Sequence, residues 1–509
     1  MDPSDIDPSG RLIQPDLHLR DIKFRWHLHD YFKWWWLMRP ARVRILMYAD
    51  GSVGFDGGSF EGLKHVVATL NTDPWYWVKF DITRAHRDLT PAQSNGDDGP
   101  KRLDQLNLNN FDEIWLFGLA TGNSLTAAEI TAVEQFMDRG GGVLVTGDHE
   151  NLGKGISGAL KRVGKLRMYP APEAVKNVWN NTLQDANADG TYDFIEQSDA
   201  VPQPISWRRY PTWSFFPVWY KLRMRPHPVL CGPTGPIDVL PDHQHEGQVD
   251  IPTAFPTAEW PQTGSGFQPK PEVIAWGKMI SPDSGRPNQE FPVIGAYDGH
   301  IASVGRIVAD STWHHWFDIN LRGFPPASAA LGQIEAYFLN VAVWLAPPAK
   351  QTEMRNALSW GAIWRDPLVM LNYKRSPIWD LGGFAEDALG QYAPHCTVTQ
   401  WIYDGLPVIV KKRYFELLDR PDPPPIPLEQ FVLGAAMRLL FERYQGDDGS
   451  PIPPKVPPKH EALSAIFEEA VPIALEELER HQQEISRSVQ VLTRAAEQPD
   501  KEKKPKYKK

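Results

Sequence analysis

Apolar and polar positions fall into a regular pattern from Arg42 onward. The stretch "RVRILMYAD" is a short apolar run, and "GSFEGLKHVVATL" then carries apolar residues at helical spacing, so a strand followed by a helix is predicted. "YWVKFDI" and "FDEIWLFG" predict two further strands. The helix "SLTAAEITAVEQFMDRGG" comes next, with Ser124 or Thr126 able to cap its start and Gly140 its end, and "GVLVTG" follows as a strand. Strand patterns return in "EVIAWGKM", "FPVIGAYDGH" and "SVGRIVADS", and the helix "ASAALGQIEAYFLNVAVWLA" closes the series. Continuous apolar strands alternating with helices imply a parallel sheet covered on both faces. The expected fold is therefore a doubly wound, mostly parallel, flavodoxin-like α/β sheet.

Interruptions in the pattern divide the chain. Residues 1–41 form an N-terminal extension, 42–347 the α/β domain, 348–497 a mainly helical region and 498–509 a basic tail expected to be disordered. Within the α/β domain, about 156–271 is rich in Pro, Trp and Asn with weak periodicity, and reads as a large irregular insertion. The helical region is broken by the stiff linkers "PDPPPIP" and "SPIPPKVPPK" and ends in a long helix from about Glu461 to Glu497. The apolar stripe of that helix is able to pack on its own chain, on a second copy or on a partner.

Composition narrows the class. At 509 residues, 42% hydrophobic and 23% charged, the chain is an ordinary globular protein large enough for more than one domain. A net charge of -10 argues against nucleic acid as its main partner. Cys231 and Cys396 are the only cysteines, so a disulfide framework and a Cys-based zinc module are excluded. The acidic, polar start "MDPSDIDPSGRL" has no signal-peptide pattern, and the expected location is cytoplasmic. The run from Trp34 to Met38 is far shorter than the roughly 20 residues that span a bilayer.

The candidate chemistry lies in three short clusters holding five of the fifteen histidines. "GGGVLVTGDHENLG" ends a strand in Asp148, His149 and Glu150. In open α/β sheets ligands bind beyond the carboxyl ends of strands, which is where these three side chains fall. "ADSTWHHWFD" places Asp310, His314, His315 and Asp318 after another strand. "VLPDHQHEGQ" supplies Asp242, His243, His245 and Glu246, with both imidazoles on one face of extended chain. Imidazoles and carboxylates in this number suit acid/base catalysis, or a site for zinc or another divalent transition metal with His149, Asp242, His243, His245, Glu246 and His314 as ligands.

The first strand "RILMYADG", the "FMDRGGGVLVTGDHE" helix–strand–elbow and the late "GRIVADSTWHHW" resemble class I glutamine-amidotransferase-like proteins, and within them the ThuA-like group. The resemblance covers Arg42 to about Asn151 and Glu290 to Leu345. Amidotransferases carry a nucleophilic Cys at this turn and ThuA-like proteins a His; here the position is His149. Without a thiol at the elbow, glutaminase chemistry is not expected. "GNSLT" and "GISG" also fail the serine-hydrolase pattern G-x-S-x-G.

Separately, "DANADGTYDFIE" matches the calcium-loop pattern at each defined position: Asp185, Asn187, Asp189, Gly190, Thr191 by its carbonyl, Asp193 and Glu196. An isolated structural Ca²⁺ site is expected there.

Two functions follow. One is a metal- or His/carboxylate-dependent hydrolase or sugar-modifying enzyme acting on a small molecule, with catalysis by Asp148, His149, Glu150, His314 and His315. The carbohydrate reading comes partly from the ThuA-like resemblance, and the 20 Trp residues offer faces for stacking on sugar rings. The other is a non-catalytic scaffold that assembles through its C-terminal helices.

Overall fold

A computed structural model describes residues 40–55, 62–88, 100–171, 180, 182, 201–216, 219–232, 235–242, 246–279, 288–363, 373–447, 451 and 458–497. The N-terminal extension before residue 40, the calcium pattern Asp185–Glu196, His243, His245 and the basic tail lie outside these residues.

The first elements are β1 (Ala41–Ala49), α1 (Lys64–Leu70), β2 (Val78–His86), β3 (Glu113–Phe117), α2 (Ala127–Asp138) and β4 (Gly142–Val145), in the predicted order. Thr126 caps α2: its hydroxyl accepts the Glu129 amide, and the Glu129 carboxylate accepts the Thr126 amide in return. Gly140 ends the turn at φ +96°, a conformation that favours glycine.

The stretch read as an irregular insertion supplies four strands, β5 (Gln203–Trp207), β6 (Tyr210–Phe216), β7 (Trp219–Arg225) and β8 (Val239–Leu240). Pro204 and Pro211 interrupt their sequence pattern, which is why periodicity hid them. After β9 (Glu272–Lys278), β10 (Glu290–Tyr297) and β11 (Ile307–Asp310), nine strands share one sheet in the order β2-β1-β3-β4-β11-β10-β9-β5-β8. From β2 to β11 every neighbouring pair is parallel; from β11 to β8 every pair is antiparallel. The mostly parallel expectation holds for the β2–β11 half and fails from β10 on, because the link from Asp298 to Arg306 is too short for a crossover helix and the chain returns antiparallel.

Both faces of the parallel part are buried. Val43, Ile45, Met47 and Phe117 point to one core cluster, while Leu46, Tyr48, Leu116 and Val145 point to another beneath α2. Helices α3 (Ala329–Leu345), α4 (Pro348–Ile363), α5 (Ile378–Gly390), α6 (His395–Gly405), α7 (Val408–Leu418), α8 (Leu428–Arg443) and α9 (His460–Glu497) complete the described chain. They share the first cluster with the sheet, and fully buried Arg306 ties the two regions together. Its guanidinium donates to Asp298 at 2.9 Å and to Asp404 of α6 at 2.8 Å. Among the described residues no single helix is long and apolar enough to cross a membrane; α3 and α4 pass such a test only as a pair bent by 117°.

Candidate functional site: a histidine–carboxylate cluster at the ends of β4 and β11

Strands β4 and β11 lie side by side in parallel, with Ala309 opposite Val145, so the loops leaving their carboxyl ends are neighbours. The Trp313 amide donates to the Gly147 carbonyl at 2.8 Å and fastens one loop to the other. Buried Arg167 bridges them again, donating to the carbonyls of Asp310 and Asp148. This clamp needs glycine beside it. A Cβ on Gly247 would lie 2.3 Å from the Ser311 carbonyl oxygen and 2.7 Å from the Arg167 guanidinium, inside any tolerated contact.

The clamp holds two histidine–carboxylate pairs. At the end of β4, His149 Nδ1 is 2.8 Å from Asp148 Oδ2, and the same oxygen is 3.7 Å from Nε2 of His314. His314 is positioned by its other nitrogen, 3.0 Å from Asn320 Oδ1, and by the Thr312 hydroxyl accepting its backbone amide. Asp148 is fully buried, whereas the His149 side chain keeps 16% of its surface exposed. Burial pulls the His149 pKa down, but the hydrogen bond and charge of Asp148 and the charge of Glu150 outweigh it, and the net shift is upward. Glu150 is itself exposed, with φ +52°, so its carboxylate is not in the buried cluster.

At the end of β11, His315 Nδ1 donates to Asp310 Oδ1 at 2.6 Å. Asp310 Oδ2 also accepts from Trp316 Nε1 and the Tyr337 hydroxyl, both at 2.8 Å. The other side of the His315 ring faces Gln203 Oε1 at 3.3 Å and Glu246 Oε2 at 3.8 Å. Acceptors on both sides favour the imidazolium. Burial opposes that charge, but Asp310, Glu246 and Asp148 prevail and the His315 pKa rises. Glu246 accepts from the Thr182 hydroxyl at 2.7 Å and from Ser311 at 3.3 Å. Burial nevertheless pushes its pKa up to about 7, against the pull of His315.

Asp148, His149, His314, His315 and Glu246, which the sequence placed in three separate clusters, thus meet in one network together with Asp310. Asp242 is buried in the loop after β8. Asp318 turns away to cap α1, accepting the amides of Lys64 and His65. Among the described residues no three His, Cys, Asp or Glu side chains are grouped so as to hold a metal ion. Sequence reasoning missed Arg167, Gln203, Thr182 and Tyr337, lone polar residues in apolar or irregular surroundings that carry no motif. It also missed Asp50 at the end of β1, whose Oδ1 accepts the amides of Leu119 and Ala120 and ties down the loop after β3. Trp77, Trp115, Trp260 and Trp316 are fully buried and serve the core, so they are not available for stacking on a sugar.

No protein-family model matches the chain, and no curated protein matches it. Among solved structures, one described as "mmIFT52 N-terminal domain" aligns with 54% of this chain and 88% of its own at 11% identity, with a TM-score of 0.25. That value is too low to carry an argument about this chain.

Proposed function

We propose that this chain is a hydrolase of a small-molecule substrate, built on an amidotransferase-like, doubly wound domain without a thiol, in which His149 is the general base. The observation that carries the reading is the 2.8 Å contact between His149 Nδ1 and the fully buried Asp148 at a strand's carboxyl end. A carboxylate that holds Nδ1–H fixes the tautomer, so Nε2 is the nitrogen that takes a proton from water. As the imidazolium forms, the charge of Asp148 stabilises it, which is the role a buried aspartate plays in acid/base dyads. His314, against the same Asp148 oxygen, positions that carboxylate. The parallel order β2-β1-β3-β4 supports the doubly wound reading, and the elbow after β4 supports the amidotransferase-like one.

The test is a panel of chromogenic esters, amides and glycosides turned over by the purified full chain, with His149→Ala and Asp148→Asn beside it. Rate loss in both variants, with folding intact, supports the base. Turnover unchanged in His149→Ala refutes it.

A second reading, assembly through the end of α9, is favoured by one observation. The first half of that helix is packed through Leu463, Ile466 and Ala470, but Val489, Val491 and Leu492 are 55%, 65% and 69% exposed. Sedimentation of the full chain and of Val489→Glu/Leu492→Glu decides it: a fall in mass is expected if this face assembles, and equal masses reject it.

A further inference from the structure

A second polar site lies far from the histidine cluster in the fold, where α4, α6, α7 and α9 meet the loop after β10. These elements enclose a cavity of about 290 Å³. Arg355 of α4 lines it, its guanidinium carbon 4.4 Å above the Phe467 ring. Arg355 makes no hydrogen bond or ion pair with any described residue; burial pulls its pKa down to about 10 against the attraction of Asp404 and Glu468. It remains charged at neutral pH.

The carboxylates around it attract it without accepting a hydrogen bond from it. Lys411, 7% exposed, also lines the cavity, with its ammonium 3.7 Å from Asp404 Oδ1. Asp404 is already committed: one oxygen accepts from Arg306 at 2.8 Å and the other from Gln400 at 2.9 Å. Asp298 is likewise taken up by Arg306. Glu468 sits at the exposed rim. Arg306, Lys411 and Arg355 therefore face Asp298, Asp404 and the rim residue Glu468, none of which is within hydrogen-bond or ion-pair distance of Arg355. His300, with no hydrogen-bond partner for its buried Nε2 among the described residues, lines the same cavity. Ser464 accepts from Asn356 at 3.2 Å and keeps its own proton to donate. The wall also depends on Gly405, where a Cβ would fall 2.2 Å from the Phe467 ring and 3.1 Å from the Arg355 guanidinium.

A partly desolvated guanidinium without a hydrogen-bond acceptor is costly, and an oxyanion in the cavity supplies the acceptors. We propose that this cavity binds a small oxyanion, the carboxylate or phosphate group of a metabolite, through Arg355 and Lys411, with Ser464 as a neutral donor. The site is independent of the proposed chemistry at His149.

Calorimetry on the full chain with inorganic phosphate and with citrate, against chloride at matched ionic strength, tests it. Heat is expected from at least one of the two, and the stronger binder identifies the group recognised. Arg355→Met should weaken that binding at least about tenfold. Lys411→Met gives an independent reading in case Arg355→Met does not fold, and should weaken binding in the same direction. No heat from either anion, or wild-type affinity in the folded variants, overturns the site.

Discussion

The two histidine–carboxylate pairs at the ends of β4 and β11 have the same chemistry and different surroundings. Asp310 is saturated, receiving His315, Trp316 and Tyr337, and His315 is fully buried between it and Glu246. Asp148 is just as buried, but its partner His149 reaches solvent. A pair with acceptors on both sides of the ring holds its proton and organises structure; a pair with one edge toward water is able to exchange it. Proximity of His to Asp therefore does not by itself mark a base. The exposure of the imidazole separates the two roles.

The sharpest way to break this contrast is Asp310→Ala. It leaves the His315 imidazolium, the Trp316 indole and the Tyr337 hydroxyl without their acceptor, and a loss of about 3–5 kcal/mol is expected in urea unfolding. A loss under about 1 kcal/mol would show that the β11 pair is not structural.

His149→Ala is expected to act mainly on turnover, cutting it by about 10²–10⁴-fold, with a smaller unfolding loss than Asp310→Ala because Asp148 keeps His314 nearby. The pH profile adds a sign. Because Asp148 helps to raise the His149 pKa above its ordinary 6.5, activity should climb with pH through a midpoint above 6.5. In Asp148→Asn that midpoint should move down, and a midpoint left in place would remove Asp148 from the mechanism.

The smallest expected effect is at Glu246. Its pKa rises from 4.5 in the unfolded chain to about 7 when folded, so the folded state holds a proton that the unfolded state has lost between those values. Wild-type stability relative to Glu246→Gln should accordingly fall as pH rises from 4.5 to about 7, then level off. Parallel stability curves for the two proteins would show that Glu246 is ionised in the fold.

Much of this arrangement was legible beforehand. The strands β1, β3 and β4, the capped helix α2 and the long α9 follow from apolar period and capping residues, both local properties. The antiparallel half of the sheet and strands β5–β8 were not, because pairing direction depends on link length and partners distant in sequence. Asp148, His149, His314 and His315 were visible as candidates because short polar clusters after apolar strands are conspicuous. Their separation into a solvent-reaching pair and a saturated pair was not visible.

Sequence alone determined which residue types end each parallel strand, and so placed imidazoles and carboxylates at one edge of a sheet. Only the tertiary structure decided their protonation and roles. Gln203 and Glu246 lie 112 and 69 positions from His315, and Tyr337 lies 27 positions from Asp310, and the desolvation that sets a pKa arises from all of them together.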